Sequence, residues 1–67
     1  MNKLHEIIFE HILENPGISL SHLFEDILIP NPKFTKKELQ KILLSDIKME
    51  FIQITRERTL FINEEIL

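Results

Sequence analysis

The chain has 67 residues, a formal net charge of −3, 43% hydrophobic and 28% charged residues, one glycine and no cysteine. That length admits one small domain burying only about 60% of its unfolded surface, and the composition excludes a disordered or low-complexity chain. The missing cysteines exclude a disulfide framework and a thiolate zinc site, while short apolar runs broken by charge predict neither a membrane span nor a secretory signal.

Leu4, Ile7, Ile8 and Ile12 recur at the spacing of one helical face, with Lys3, Glu6, Glu10 and Glu14 opposite, which predicts a helix over 3–14. Phe9 and Leu13 lie outside that stripe, which predicts a helix covered on more than one side. The stretch "ENPGIS" ends it, because Pro16 disfavours helical geometry at Asn15 and Pro-Gly supplies the dihedrals of a type II turn. A short strand at Ile18, pairing with a later sheet, fits this position.

Ser19 can cap a second helix over 20–28, whose Leu20, Leu23, Phe24, Ile27 and Leu28 follow the i, i+3, i+4, i+7, i+8 pattern. Pro30 and Pro32 end it, leaving 29–34 as a turn. A third helix, 36–46, is announced twice: Thr35 and Glu38 form a capping box, and Phe34 and Leu39 occupy the positions of a hydrophobic staple. Leu39, Ile42 and Leu43 face inward. The period then changes. FIQIT at 51–55 and TLFIN at 59–63 are rich in β-branched and aromatic residues, predicting two strands of a hairpin with Ile52, Ile54, Leu60 and Ile62 on the inward faces. Its tip, Arg56, Glu57 and Arg58, has no glycine, which leaves the turn type open.

Charge is segregated along the chain. Residues 1–30 carry a net −4, residues 31–60 a net +3, and seven of the eight basic groups lie in the second half. On a helical wheel Lys36, Lys37, Gln40, Lys41 and Lys48 project from the side opposite Leu39 and Ile42. Lys36 and Lys37 oppose the macrodipole in the first turn, and Lys37 repels Lys41 at i, i+4, although Glu38 can pair with Lys41. Stability alone would choose acids there, so the mismatch favours contact with an anion. A lysine-rich helix face that is merely solvated is the plain competing reading. Leu44 falls amid the lysines: either the helix distorts and buries it, or the face includes an exposed apolar contact suited to an acidic protein.

Histidines in "HEIIFEH" do not make a zinc-protease motif, because His5 and His11 are not at i, i+4 on one face. His11 falls on the apolar face and reads as a hydrogen-bonded core residue, and His22 in the first turn of the second helix reads as a surface group. No nucleophile with a base and orienter and no phosphate-cradling glycine loop is found, so no enzyme, metal, cofactor or small-molecule substrate is expected.

The order helix, turn, helix, turn, helix, hairpin resembles the winged-helix superfamily over nearly the whole chain, 1–67, as one α+β domain: a three-helix bundle with a C-terminal two-stranded β-hairpin wing. "LENPGISLSHLFEDI" resembles the junction of its first two helices, and "FTKKELQKILLSDIKMEFIQITRERTLFI" its third helix running into the wing. The long turn between helices two and three resembles eukaryotic members, such as the B-block-binding subunit of RNA polymerase III factors or the cullin C-terminal domain. That resemblance implies a third helix in the DNA major groove and a wing on backbone or minor groove. Lys36, Lys37, Gln40, Lys41 and Lys48 would then meet double-stranded DNA. Lys33, Arg56 and Arg58 would grip phosphates, unless the arginines only keep a hairpin tip soluble. Gln40 alone suits bidentate adenine contact. The resulting expectation is a transcription-related DNA-binding module, intracellular, nuclear in a eukaryote and cytoplasmic in a prokaryote. The alternative is a protein-interaction winged helix in a larger complex, using Leu44 with the same lysines, or the acidic first helix.

Overall fold

Leu4, Ile8 and Ile12 form the buried stripe of the first helix, α1 (Lys3–Glu14), in the computed structural model, which describes residues 3–66. The single domain expected over 1–67 therefore includes residues 1, 2 and 67, which lie outside the described residues. Leu13 is 45% exposed, so the cover expected on a second side of α1 is missing there, while half-buried Phe9 stacks on the His5 ring. Gly17 takes φ 85° in the Pro-Gly turn, and the Ile18 N–H donates to Asn15 O at 3.1 Å. A glycine is required at that φ.

The turn feeds β1 (Ile18–Ser19), which pairs antiparallel with β3 (Thr59–Ile62), Ile18 opposite Leu60 and Ser19 opposite Thr59. Ser19 then caps α2 (Leu20–Leu28) by accepting from the His22 N–H. Leu23 and Ile27 are the buried residues of α2, and Phe24 and Leu28 pack partly buried against them. After the 29–34 turn, the capping box opens α3: Thr35 Oγ1 accepts from the Glu38 N–H at 3.1 Å, and Glu38 Oε1 accepts from the Thr35 N–H at 3.1 Å.

Helix α3 (Lys36–Lys48) runs two residues beyond the expected end at 46. The reason is a C-terminal closure without glycine. Glu50 adopts φ 66°, its N–H donates to Ile47 O, and the Phe51 N–H donates to Asp46 O at 2.9 Å. These are the paired bonds that end a helix through a left-handed residue. Capturing Phe51 in that closure also shortens the next strand, β2 (Ile52–Ile54), at its start, and β3 is likewise shorter than the expected 59–63. Bonds from Asn63 N–H to Phe51 O and from Thr55 N–H to Thr59 O still extend the ladder past the strand ends. The hairpin closes through Arg56, Glu57 and Arg58, with the Arg58 N–H on Thr55 O at 3.0 Å and φ 62° at Arg58. This is a three-residue connection whose last residue is left-handed, and it resolves the turn the sequence left open.

The hairpin is not an isolated two-stranded wing. With β1 it forms a three-stranded antiparallel sheet in the order β1-β3-β2. Ile52 and Leu60 of its inner face join Leu4, Ile8, Ile12, Leu23, Ile27, Leu39 and Leu43 in one core. Ile62 is partly buried against that core, but Ile54, expected inward, is 40% exposed. It sits on the outer strand beside the hairpin tip, at the rim of the sheet. The protein is thus a small α+β domain of three helices and a three-stranded antiparallel sheet. Among the described residues, no helix is long and apolar enough to cross a membrane.

Candidate nucleic-acid interface

The buried side of α3 consists of Leu39, Leu43 and Asp46, supported by half-buried Ile42 and Ile47, and it determines what the opposite side presents. Lys36, Lys37, Gln40, Lys41 and Lys48 are all exposed, as the wheel predicted. Lys36 to Lys48 spans about 18 Å along the axis at the ordinary helical rise. Leu44 is 59% exposed on this side, which decides its placement: the helix does not distort to bury it.

Among the described residues, no lysine or arginine forms an ion pair; the two ion pairs are His5–Asp46 and His11–Asp26. The Glu38–Lys41 pairing open to the sequence is not made, because the Glu38 carboxylate serves the cap, accepting also from the Thr35 hydroxyl at 3.0 Å. Lys33 is exposed in the preceding turn, and its Nζ stands 5.2 Å from the Phe34 ring centroid, a cation–π contact.

Strand pairing brings the hairpin tip against the N-terminus of α2. The Leu20 N–H donates to Arg58 O at 2.9 Å, and the Gly17 N–H to Leu60 O at 2.8 Å. Thr55 and Thr59 hydroxyls lie 2.7 Å apart across the base of the tip and stiffen it. The result is an open groove of about 510 Å³ with Leu20 and Phe24 of α2, Lys36 and Gln40 of α3, and Glu57 and Arg58 of the tip among its walls. Lys36, Gln40 and Arg58 are therefore brought together. Lys33, Lys37, Lys41, Lys48 and Arg56 do not line this groove, though all are exposed. Ser19 and Ser21 add hydroxyls to its rim. Glu57 places one carboxylate beside the cations, a feature sequence reading did not weigh.

The histidines sit on the other helices. His11 Nε2 lies 2.9 Å from Asp26 Oδ2, tying α1 to α2, so His11 is hydrogen-bonded as expected but half-buried at the edge of the core rather than within it, because its partner Asp26 is exposed. His22 is exposed, with Nδ1 3.1 Å from the Ser19 hydroxyl. His5 Nδ1 approaches Asp46 Oδ2 at 2.8 Å, and among the described residues this oxygen has no other hydrogen-bond partner. Burial pushes the Asp46 carboxyl above its ordinary range, while the His5 charge and hydrogen bond oppose that rise. Asp46 was missed in the sequence. Its spacing from Leu39 and Leu43, i+7 and i+3, was the available signal that it belongs to the buried stripe. Among the described residues, no group of three histidine or acidic side chains is placed to hold a metal ion.

Comparisons with protein-family models, curated proteins and solved structures gave no match.

Proposed function

We propose that this domain is a non-enzymatic winged-helix module that binds double-stranded DNA, with α3 and the hairpin as its anion-contacting face. The element order, and a hairpin whose tip is held against the start of α2 through β1, support the winged-helix reading. The observation that carries the DNA reading is electrostatic. Seven cations lie between Lys33 and Arg58 in a chain with more acids than bases, yet among the described residues none of the seven has an ion-pair partner. In this reading Lys36, Lys37, Gln40 and Lys41 face the major groove, and Lys33, Lys48, Arg56 and Arg58 hold backbone phosphates. Gln40 is the one side chain on the face fitted for bidentate contact to adenine, so the binding is mainly to phosphate and only weakly sequence-selective. Its place is then in a transcription-related protein or complex.

Leu44 favours a second reading. An apolar side chain 59% exposed among lysines, with exposed Met49 beyond it, suits an acidic amphipathic helix of another subunit. The two readings separate in one experiment. Labelled duplex DNA is titrated with the chain at several salt concentrations by fluorescence anisotropy, beside Lys37→Glu/Lys41→Glu and Leu44→Ala. The DNA reading expects binding that weakens with salt at about −0.9 in log–log slope per phosphate neutralised. The charge-reversed variant should lose it and Leu44→Ala should largely keep it. No binding at low salt overturns the DNA reading and leaves the protein-interaction one.

A further inference from the structure

Two exposed helix faces of this chain carry one pattern with opposite charge. On α1, Glu6, Glu10 and Leu13 stand at i, i+4 and i+7, exposed on the side away from buried Leu4, Ile8 and Ile12, with exposed Glu14 beside them. On α3, Lys37, Lys41 and Leu44 stand at the same spacing, exposed on the side away from buried Leu39 and Leu43, with Lys48 one turn on. Leu13 is 45% exposed and Leu44 59%, each the apolar member of an otherwise charged row. Among the described residues none of these acids or lysines has an ion-pair partner. Like charges at i, i+4 repel along both rows. Glu14 at the C-terminus of α1 and Lys37 in the first turn of α3 also oppose their helix dipoles, so neither helix by itself selects these charges.

We propose that α1 of one copy of this chain docks side by side and parallel on α3 of a second copy. The occupant follows from complementarity: each row finds its match, charge for charge and leucine for leucine, on the other helix of the same sequence. Within one copy α1 and α3 meet through their buried sides, where His5 reaches Asp46, so the two outer rows can meet only between copies. The matched spacing then fixes the register. Parallel alignment sets Glu6 opposite the partner's Lys37, Glu10 opposite the partner's Lys41 and Leu13 against the partner's Leu44, with Glu14 within a turn of the partner's Lys48. An antiparallel alignment that joins the two leucines carries Lys41 and Lys37 past Glu14, the end of α1, and leaves Glu6 past Lys48, the end of α3. The contact joins unlike surfaces, so it is head-to-tail. Exposed ion pairs are individually weak and screened by salt, and one helix pair buries little area, so association is transient and belongs to high protein concentration and low salt. A copy docked on Lys37 and Lys41 withholds them from any other anion.

Sedimentation of the full chain across a concentration series at low and high salt, without DNA, tests this. The average mass of the native chain should rise above that of one copy at low salt and return to it at high salt. Glu6→Lys/Glu10→Lys and Lys37→Glu/Lys41→Glu, each checked for folding by circular dichroism, should stay monomeric alone and associate when mixed, since each supplies the row the other lacks. Glu25→Lys/Glu65→Lys changes the net charge equally at exposed residues outside both rows and should associate like the native chain. A native chain that stays monomeric at millimolar concentration and low salt overturns the proposal and leaves the α3 row to another partner. So does association that survives Glu6→Lys/Glu10→Lys, or that Glu25→Lys/Glu65→Lys abolishes as fully, because position would then play no part. DNA is absent from these readouts, so failure here leaves the DNA reading standing, and the reverse.

Discussion

His5 Nδ1 of α1 lies 2.8 Å from Asp46 Oδ2 of α3, and among the described residues Asp46, at 4% exposure, is the one buried charged residue beside the nine apolar core side chains. With His11–Asp26, it means that α1 holds each of the other two helices through an imidazole–carboxylate contact. A buried carboxylate with a single polar partner lowers stability more than it contributes, unless the partner is charged.

Stability near Asp46 is therefore expected to depend on pH with a definite sign. Burial raises its pKa in the folded state above the ordinary 3.8, so the folded chain binds the proton more tightly than the unfolded one. That contribution is fully present below the unfolded value and is lost as pH rises through the folded one. Asp46→Asn, which keeps shape and removes the charge, should be more stable than the native chain at neutral pH. The difference should shrink as pH falls into the acid range. Urea denaturation of both chains across that range checks it. His5→Ala should destabilise by about 1–3 kcal/mol, because it strands the carboxylate.

Glu50 and Arg58 hold left-handed backbone, φ 66° and 62°, at the end of α3 and at the hairpin tip. A side chain with Cβ costs roughly 1 kcal/mol in that region, and glycine does not carry the penalty. Glu50→Gly and Arg58→Gly should each raise the urea midpoint, by about 0.5–1 kcal/mol in stability. Arg58→Gly should weaken DNA binding at the same time, which separates the backbone effect from the guanidinium's.

Gly17 is the opposite case. Its φ of 85° is strained for any L side chain, and an added Cβ would sit 3.4 Å from Phe61 Cζ. Gly17→Ala should cost about 1–2 kcal/mol, read as a lower thermal midpoint, with the loss concentrated in β1–β3 pairing.

Under the DNA reading, the lysines of the first turn of α3 set stability against binding. Lys36→Glu places an acid at the positive end of the helix dipole, worth about 0.3–1 kcal/mol, and Lys37→Glu also ends the repulsion of Lys41. Both variants should denature at higher urea than the native chain and bind duplex DNA more weakly. Equal binding by the more stable variants would mark this face as merely solvated.

The first two helices, both caps and the Pro-Gly turn are legible in the chain because local chemistry decides them. Apolar spacing sets each buried face, Ser19 and Thr35 supply oxygens where amides lack partners, and glycine follows proline. The exposed lysine row follows from the same spacing. Features that depend on a partner distant in sequence are not legible. The end of α3 at Lys48 uses a glutamate where a glycine would have been readable, and it is held by bonds from Glu50 and Phe51. Ile54 alternates in step with Ile52 yet stays exposed, because alternation fixes a face of the sheet and only packing decides how far that face is covered. Asp46 looked polar by composition and is buried because the position i+7 from Leu39 meets α1, where His5 can reach it. The sequence alone determined which side chains are free to meet an anion. The tertiary structure decided that Arg58, Lys36 and Gln40 share one groove, because β1 and β3, 40 residues apart at Ser19 and Thr59, meet only through the closed sheet.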